Sequence, residues 1–372
     1  MSLPNPWPIP AMLVVQIGYQ HVTNEHVSNS TDAFSSSGSL RAGGAFKLYN
    51  PLADGLSFYT GFHYAAGSTP GIANNFFVLD GVGSPLGLPS HLINLAAGSS
   101  INIYGAGPYM SPVMNPTGLS VGYDNGGGLG SIGAGFQLYG TPGYHLWYMF
   151  GVTNGSKGTG TALANTGDNS MQYNYSLREY LPTSIGQLEF GYYGGTLAEP
   201  ISNGANYWTN QIIENGIDAD LANGTYELGA TFSEVSDSNP YAPNGYALPY
   251  GITDRSNGYQ SMSFYAGYKF AHLITEEGTY LQLGYGQYTY NHEQSQSAFV
   301  NKSSASANYA CNEALYGAVG TLDSVDCFEG VKDNFKINLS VFLAANVVMN
   351  FSYNISNIQE DNIFSTGVLF GF

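Results

Sequence analysis

The sequence predicts an all-β chain that closes into a transmembrane antiparallel β-barrel of sixteen strands. Three observations carry this. Only 9% of the 372 residues are Asp, Glu, Lys or Arg, against about 25% in an ordinary soluble domain. Apolar and polar side chains alternate with a period of two along most of the chain. Short and long connections between the alternating runs take turns from one end to the other. So few charges cannot cover the surface of a soluble protein, whereas a barrel presents a wide apolar belt to lipid. A helical membrane protein needs about 18 consecutive apolar residues, and the most apolar stretches, 11–15 and 341–349, are far shorter. In lipid, a closed barrel is the other structure that satisfies every backbone N–H and C=O.

The alternation is clearest near the end of the chain. Phe335, Ile337, Leu339, Val341 and Leu343 interleave with Lys336, Asn338 and Ser340. A turn near Ala345 follows, and then Val347, Met349, Phe351, Tyr353 and Ile355 interleave with Asn350, Ser352 and Asn354. Successive side chains on a strand point to opposite faces, so one face meets lipid and the other the lumen. The same reading places strands at 11–22, 39–49, 56–65, 98–107, 117–123, 131–140, 144–153 and 171–180. It continues at 185–194, 211–221, 225–234, 260–270, 279–290, 334–344, 346–356 and 362–372. Turn residues mark short connections such as Asn223 with Gly224. Longer polar connections fall at 23–38, 66–97, 195–210, 235–259 and 291–332, among others. The whole of 1–372 then forms one barrel domain, with both termini on the side of the short turns. The proline-rich start, 1–10, has no positive signal-type region and reads as the first segment of a mature chain.

Enzymatic and cofactor motifs are missing from the sequence. It contains no Cys-x-x-Cys-His, no His-Glu-x-x-His and no phosphate-binding Gly-rich loop with its Lys. The seven histidines show no metal-site spacing. The reading is therefore no enzyme, no cofactor and no metal. A net charge of −17 excludes a nucleic-acid partner. Cys311 and Cys327 share one polar segment. An oxidising compartment lets them close a loop worth roughly 3 kcal/mol in the chain-entropy model, the alternative being two free thiols.

Charges on strands belong on the lumen side, because a charge facing lipid near the bilayer midplane costs about 2–4 kcal/mol. The predicted pore-lining residues are Arg41, Lys47, His63, Arg178, Glu189, Asp218, Asp220, Glu227, Lys269 and Lys336. They serve either as wall groups that pair across strands or as a selectivity ring. The long connections are acidic, with Asp32, Asp80, Asp237, Glu293 and Asp323 among their carboxylates. A negative mouth gathers cations, which predicts mild cation selectivity. Inward tyrosines such as Tyr59, Tyr139, Tyr193 and Tyr265 either line a solute track or fill space beside glycines.

The final residues alternate and end on Phe370, Gly371 and Phe372. This resembles the C-terminal signature of bacterial outer-membrane proteins, and the chain as a whole resembles the sixteen-stranded porins of Gram-negative bacteria. That resemblance implies a place in the outer membrane, among its lipids, and assembly by the barrel-assembly machinery through Phe370 and Phe372. It implies a homotrimer that passes small hydrophilic solutes or cations by diffusion, with short periplasmic turns, long extracellular loops and one loop folded inward. Candidates for the inward loop are 66–97 and 291–332; the run from Ile72 to Leu79 would gain little from staying in water. The scarcity of basic residues departs from the common porins and puts an arginine-lined constriction in doubt. Two other functions fit the pattern: a scaffold barrel sheathing a partner such as a cytochrome in an electron conduit, and a surface adhesin or structural barrel.

Overall fold

The computed structural model describes residues 11–24, 30–48, 52–65, 71–102, 132–143, 145–153, 171–202, 207–237, 259–290, 331–344, 346–356 and 361–371. These contain strands β1 (Ala11–Asn24), β2 (Ser30–Lys47), β3 (Gly55–Ala65), β4 (Gly71–Asp80), β5 (Asn94–Asn102), β6 (Ile132–Gly140), β7 (Leu146–Thr153) and β8 (Gln172–Pro182). They continue with β9 (Gln187–Ser202), β10 (Tyr207–Ala222), β11 (Tyr226–Asp237), β12 (Tyr259–Phe270), β13 (Thr279–Tyr290), β14 (Val331–Ala344), β15 (Val347–Ser356) and β16 (Asp361–Gly371). Each strand pairs antiparallel with its neighbours in the chain, and β1 pairs with β16, Ile17 opposite Val368, to close the barrel.

Alternation sets the register. Between β14 and β15, Phe335, Ile337 and Leu339 stand opposite Ile355, Tyr353 and Phe351, while Lys336, Asn338 and Ser340 stand opposite Asn354, Ser352 and Asn350. Directly opposed residues share a face, so apolar rows run outside and polar rows inside. A slip of one residue would turn Lys336 toward lipid. The outer face leaves Phe136, 61% exposed, together with Phe150, Phe190, Ile217, Leu228 and Phe264 without cover from the chain. A soluble monomer rarely shows so wide an apolar surface; a lipid-facing belt requires one. Inside, polar groups satisfy each other across strands. Ser233 on β11 and Ser261 on β12 share a hydrogen bond of 2.6 Å, and Thr231 bonds Ser263 one rung away.

The hairpins close on residues suited to turns. Asn223 accepts hydrogen bonds through Oδ1 from the N–H groups of Thr225 and Tyr226, at 3.0 and 3.1 Å. Gly224 follows it with φ of 81°, a left-handed conformation that glycine adopts without a Cβ penalty.

Several expectations need correction. The segment 66–97 is not one long loop. It contains β4, the start of β5 and a connection, 81–93, that carries a single 3-10 turn at Ser84–Leu86. The run from Ile72 to Leu79 is therefore barrel wall, and Phe77 points outward rather than into the lumen. Its alternation is masked by a register irregularity between Gly61 and Phe62 of β3, which leaves Ala73 without an opposite residue. Such a bulge breaks the period of two. The connection 81–93 lies at the same end as the tight turns, so short and long connections do not alternate strictly. The strand expected at 98–107 begins earlier, at Asn94, and the one expected at 117–123 lies outside the described residues. The polar segments 23–38 and 195–210 are largely strand, because β2 starts at Ser30, β9 runs to Ser202 and β10 starts at Tyr207. Asp32, Asp80 and Asp237 accordingly sit on strands, and Asp80 accepts a hydrogen bond from Ser57 Oγ at 2.5 Å.

Candidate functional site: an inward charge lattice

Inward charges gather on adjacent strands near the end that carries Asn223 and Gly224. The register brings them together. Arg178 of β8 stands opposite Gly191 of β9, which stands opposite Asp218 of β10. One row nearer the turns, Tyr180, Glu189, Asp220, Gly229 and Tyr265 follow one another from β8 to β12. Glu227 of β11 stands opposite Gly267 of β12.

A common construction recurs three times. A long side chain lies flat over a glycine on the next strand and reaches a carboxylate on the strand beyond, a span of roughly 10 Å. Arg178 crosses Gly191 to hold Asp218 with two parallel bonds, Nη1 to Oδ1 at 2.8 Å and Nη2 to Oδ2 at 2.9 Å. Its Nη1 also donates to Glu189 Oε1 at 2.6 Å. Tyr265 crosses Gly229 and donates to Asp220 Oδ2 at 2.6 Å. Tyr280 of β13 crosses Gly267 and donates to Glu227 Oε2 at 2.7 Å. The glycines are required by space: a Cβ would stand 2.0 Å from the Tyr265 ring at position 229 and 1.8 Å from the Tyr280 hydroxyl at position 267. Tyr193 lies over Gly216 in the same way and is wholly buried.

The lattice divides by access to water. Arg178 and Asp218 are 2% and 4% exposed, a sealed, charge-assisted pair of the strong bidentate kind. Glu189, Asp220, Glu227, Tyr265 and Tyr280 are only part-buried. Lys269, near the end of β12, is exposed and its Nζ lies 5.6 Å from the centre of the Phe342 ring, within cation–π range. Lys336 of β14 is part-buried opposite Gly284 and Asn354. Arg41 and Lys47 belong to β2, eight strands around the ring from β10. His63 belongs to β3, opposite Ser39. Phe370 lies on β16, opposite Val15 and Val347; Phe372, Cys311 and Cys327 lie outside the described residues.

Sequence reading named the charges but missed Tyr280, Gly191, Gly229 and Gly267. Their only sequence signal is inward parity on their strands. Which glycine faces which tyrosine depends on cross-strand register.

On the histidines, His21 is on the outer face, where its Nδ1 meets Asp32 Oδ1 at 2.8 Å and Tyr19 donates to the same oxygen at 2.6 Å. No cluster of three or more His, Cys, Asp or Glu side chains among the described residues can hold a metal ion.

The architecture, a closed antiparallel barrel with an apolar outside and a polar inside, is that of the outer-membrane porins. OprB of Pseudomonas putida superposes with a TM-score of 0.61, at 9% identity, over 97% of this chain and 93% of its own. The anion-selective porin from Comamonas acidovorans gives 0.58 at 9% identity, over 98% of this chain and 99% of its own. The trimer form of OmpT, an outer-membrane protein of Vibrio cholerae, gives 0.52 at 10% identity, over 97% and 99%. At these identities the likeness is one of fold. No family model and no curated protein sequence matches the chain.

Proposed function

We propose that this protein is an outer-membrane porin of a Gram-negative bacterium, a water-filled channel for passive diffusion of small hydrophilic solutes that prefers cations. The observation that carries the charge preference is the excess of carboxylates on the inward wall of β9–β11. Glu189, Asp218, Asp220 and Glu227 face one guanidinium, Arg178, which two of them already hold. A wall with net negative potential concentrates cations and repels anions. The acidic connections, within a total charge of −17, add to the same field. Comamonas acidovorans builds an anion-selective porin on a similar fold, so the barrel itself does not dictate the sign; the inward side chains do. A homotrimer is part of the proposal, by analogy with the trimer form of OmpT, as is delivery to the membrane by the barrel-assembly machinery through the strand that carries Phe370.

Purified protein in a planar lipid bilayer tests this. Stepwise, non-rectifying conductance is expected. The zero-current potential in a KCl gradient should have the sign of potassium passing faster than chloride. A closed bilayer, or the opposite sign, would refute the reading.

A further inference from the structure

The charge lattice combines a sealed part with an accessible part, and the two have different roles. Resting on the porin reading, we infer that Asp220 and Glu227 set the charge preference of the pore, with Tyr265 and Tyr280 as their positioning residues, while Arg178 with Asp218 is a strut outside the solute path. Arg178 and Asp218 are shut off from water, at 2% and 4% exposure, so a passing ion cannot touch them. Their charges also oppose one another in a bidentate pair. Glu189 is drawn into the same guanidinium at 2.6 Å.

Asp220 and Glu227 differ in both respects. Each is part-buried and bonded to a neutral phenol rather than to a cation. When ionised, their negative charge is therefore not cancelled by a bonded cation. The groups around Asp220 are Glu189 on β9, Asp218 on its own strand, Glu227 on β11 and Tyr265 on β12, with Arg178 of β8 committed to Glu189 and Asp218. Around Glu227 are Asp220 of β10, Tyr265 and Lys269 of β12, and Tyr280 of β13. Lys269 directs its Nζ to Phe342. The tyrosines do more than fill space. Seated flat on Gly229 and Gly267, each aims its O–H along the wall at one carboxylate oxygen. A donor to the ionised form favours that form, and the ring seated on its glycine fixes where that donor stands.

The test is the potassium-to-chloride permeability ratio of the full chain in planar bilayers, followed from neutral to acid pH. The double variant Asp220→Asn with Glu227→Gln should lose most of the cation preference while still conducting. Tyr265→Phe and Tyr280→Phe keep the rings on their glycines and remove only the donors. They should keep conducting, and the pH at which the preference fades on acidification should rise. A purely packing role for the tyrosines would leave that midpoint where it is. Full cation preference in the double variant overturns the inference, as does an unmoved midpoint in both phenylalanine variants. If the double variant does not fold, judged by heat-modifiable migration in gels, the phenylalanine profiles decide alone. A wild-type protein that leaves the bilayer closed would instead defeat the porin reading on which the inference stands, and a wild-type pore that conducts without cation preference would overturn the inference alone.

Discussion

Gly191 shows how little room the wall of this barrel leaves. A Cβ at that position would stand 2.5 Å from Asp218 Oδ2 and 2.8 Å from Arg178 Nη1. Glycine there is the gap through which two charges two strands apart meet. Gly191→Ala should force them apart and leave buried charge poorly compensated, a defect that costs about 3–5 kcal/mol when a buried pair is broken outright. Denaturant unfolding in detergent micelles measures it. Gly143, with nothing within 4 Å of an added Cβ, is the control. Gly143→Ala should change stability by no more than about 0.5 kcal/mol. Equal effects at the two positions would contradict the strut. The charges themselves were legible from parity along single strands, because a carboxylate or guanidinium cannot face hydrocarbon cheaply. Their partners were not. Arg178 and Asp218 lie forty positions apart, and their meeting depends on the registers of two successive strand pairs.

The strands themselves were readable wherever the period of two ran unbroken. The pair β14 and β15 lies within three residues of its expected bounds, since the alternation from Phe335 to Ile355 is uninterrupted but for the turn. β4 is the counterexample. A bulge at Ala73 pairs Ile72 with Phe62 and Asn75 with Thr60, so the alternation skips a beat in mid-strand. Two polar residues then stand at the lipid side of β3 and β4, where Thr60 Oγ1 donates to Asn75 Oδ1 at 2.5 Å. The run Phe76 to Leu79 is apolar on both faces, so it carries no period. Phe77→Arg separates strand from loop. On a lipid-facing strand it should weaken folding into lipid vesicles by up to about 4 kcal/mol, less if the position lies near the interface. An unchanged folding titration would return 71–80 to the water.

At the scale of the molecule, every physical requirement points to the same closed surface. Low charge content needs a place for apolar side chains, and the outer rows supply it. Backbone groups in hydrocarbon need partners, and the pairing of β1 with β16 closes the ring of described strands. The inner rows then carry what the outside cannot, including the carboxylates that give the pore its sign. With β4 missed and 117–123 outside the described residues, the other strands were visible in the sequence because they follow from local alternation and turns. The extent of hairpins such as β1–β2 and β9–β10, whose strands reach 18 and 16 residues, was not. Membrane-spanning strands need only about 9–11 residues; beyond the belt, polar residues continue the ladder without an apolar face to announce it.

The most direct test is to read the two faces of one strand in a bilayer. Single cysteines placed in turn at Phe335, Lys336, Ile337, Asn338 and Leu339 of β14, with Cys311 and Cys327 replaced by Ser, would carry a fluorescent label in lipid vesicles. Quenching by brominated lipid should be strong at 335, 337 and 339, and quenching by a water-soluble agent should be strong at 336 and 338. Five positions that respond alike, or an alternation of opposite phase, would contradict a barrel with apolar walls and a wet interior.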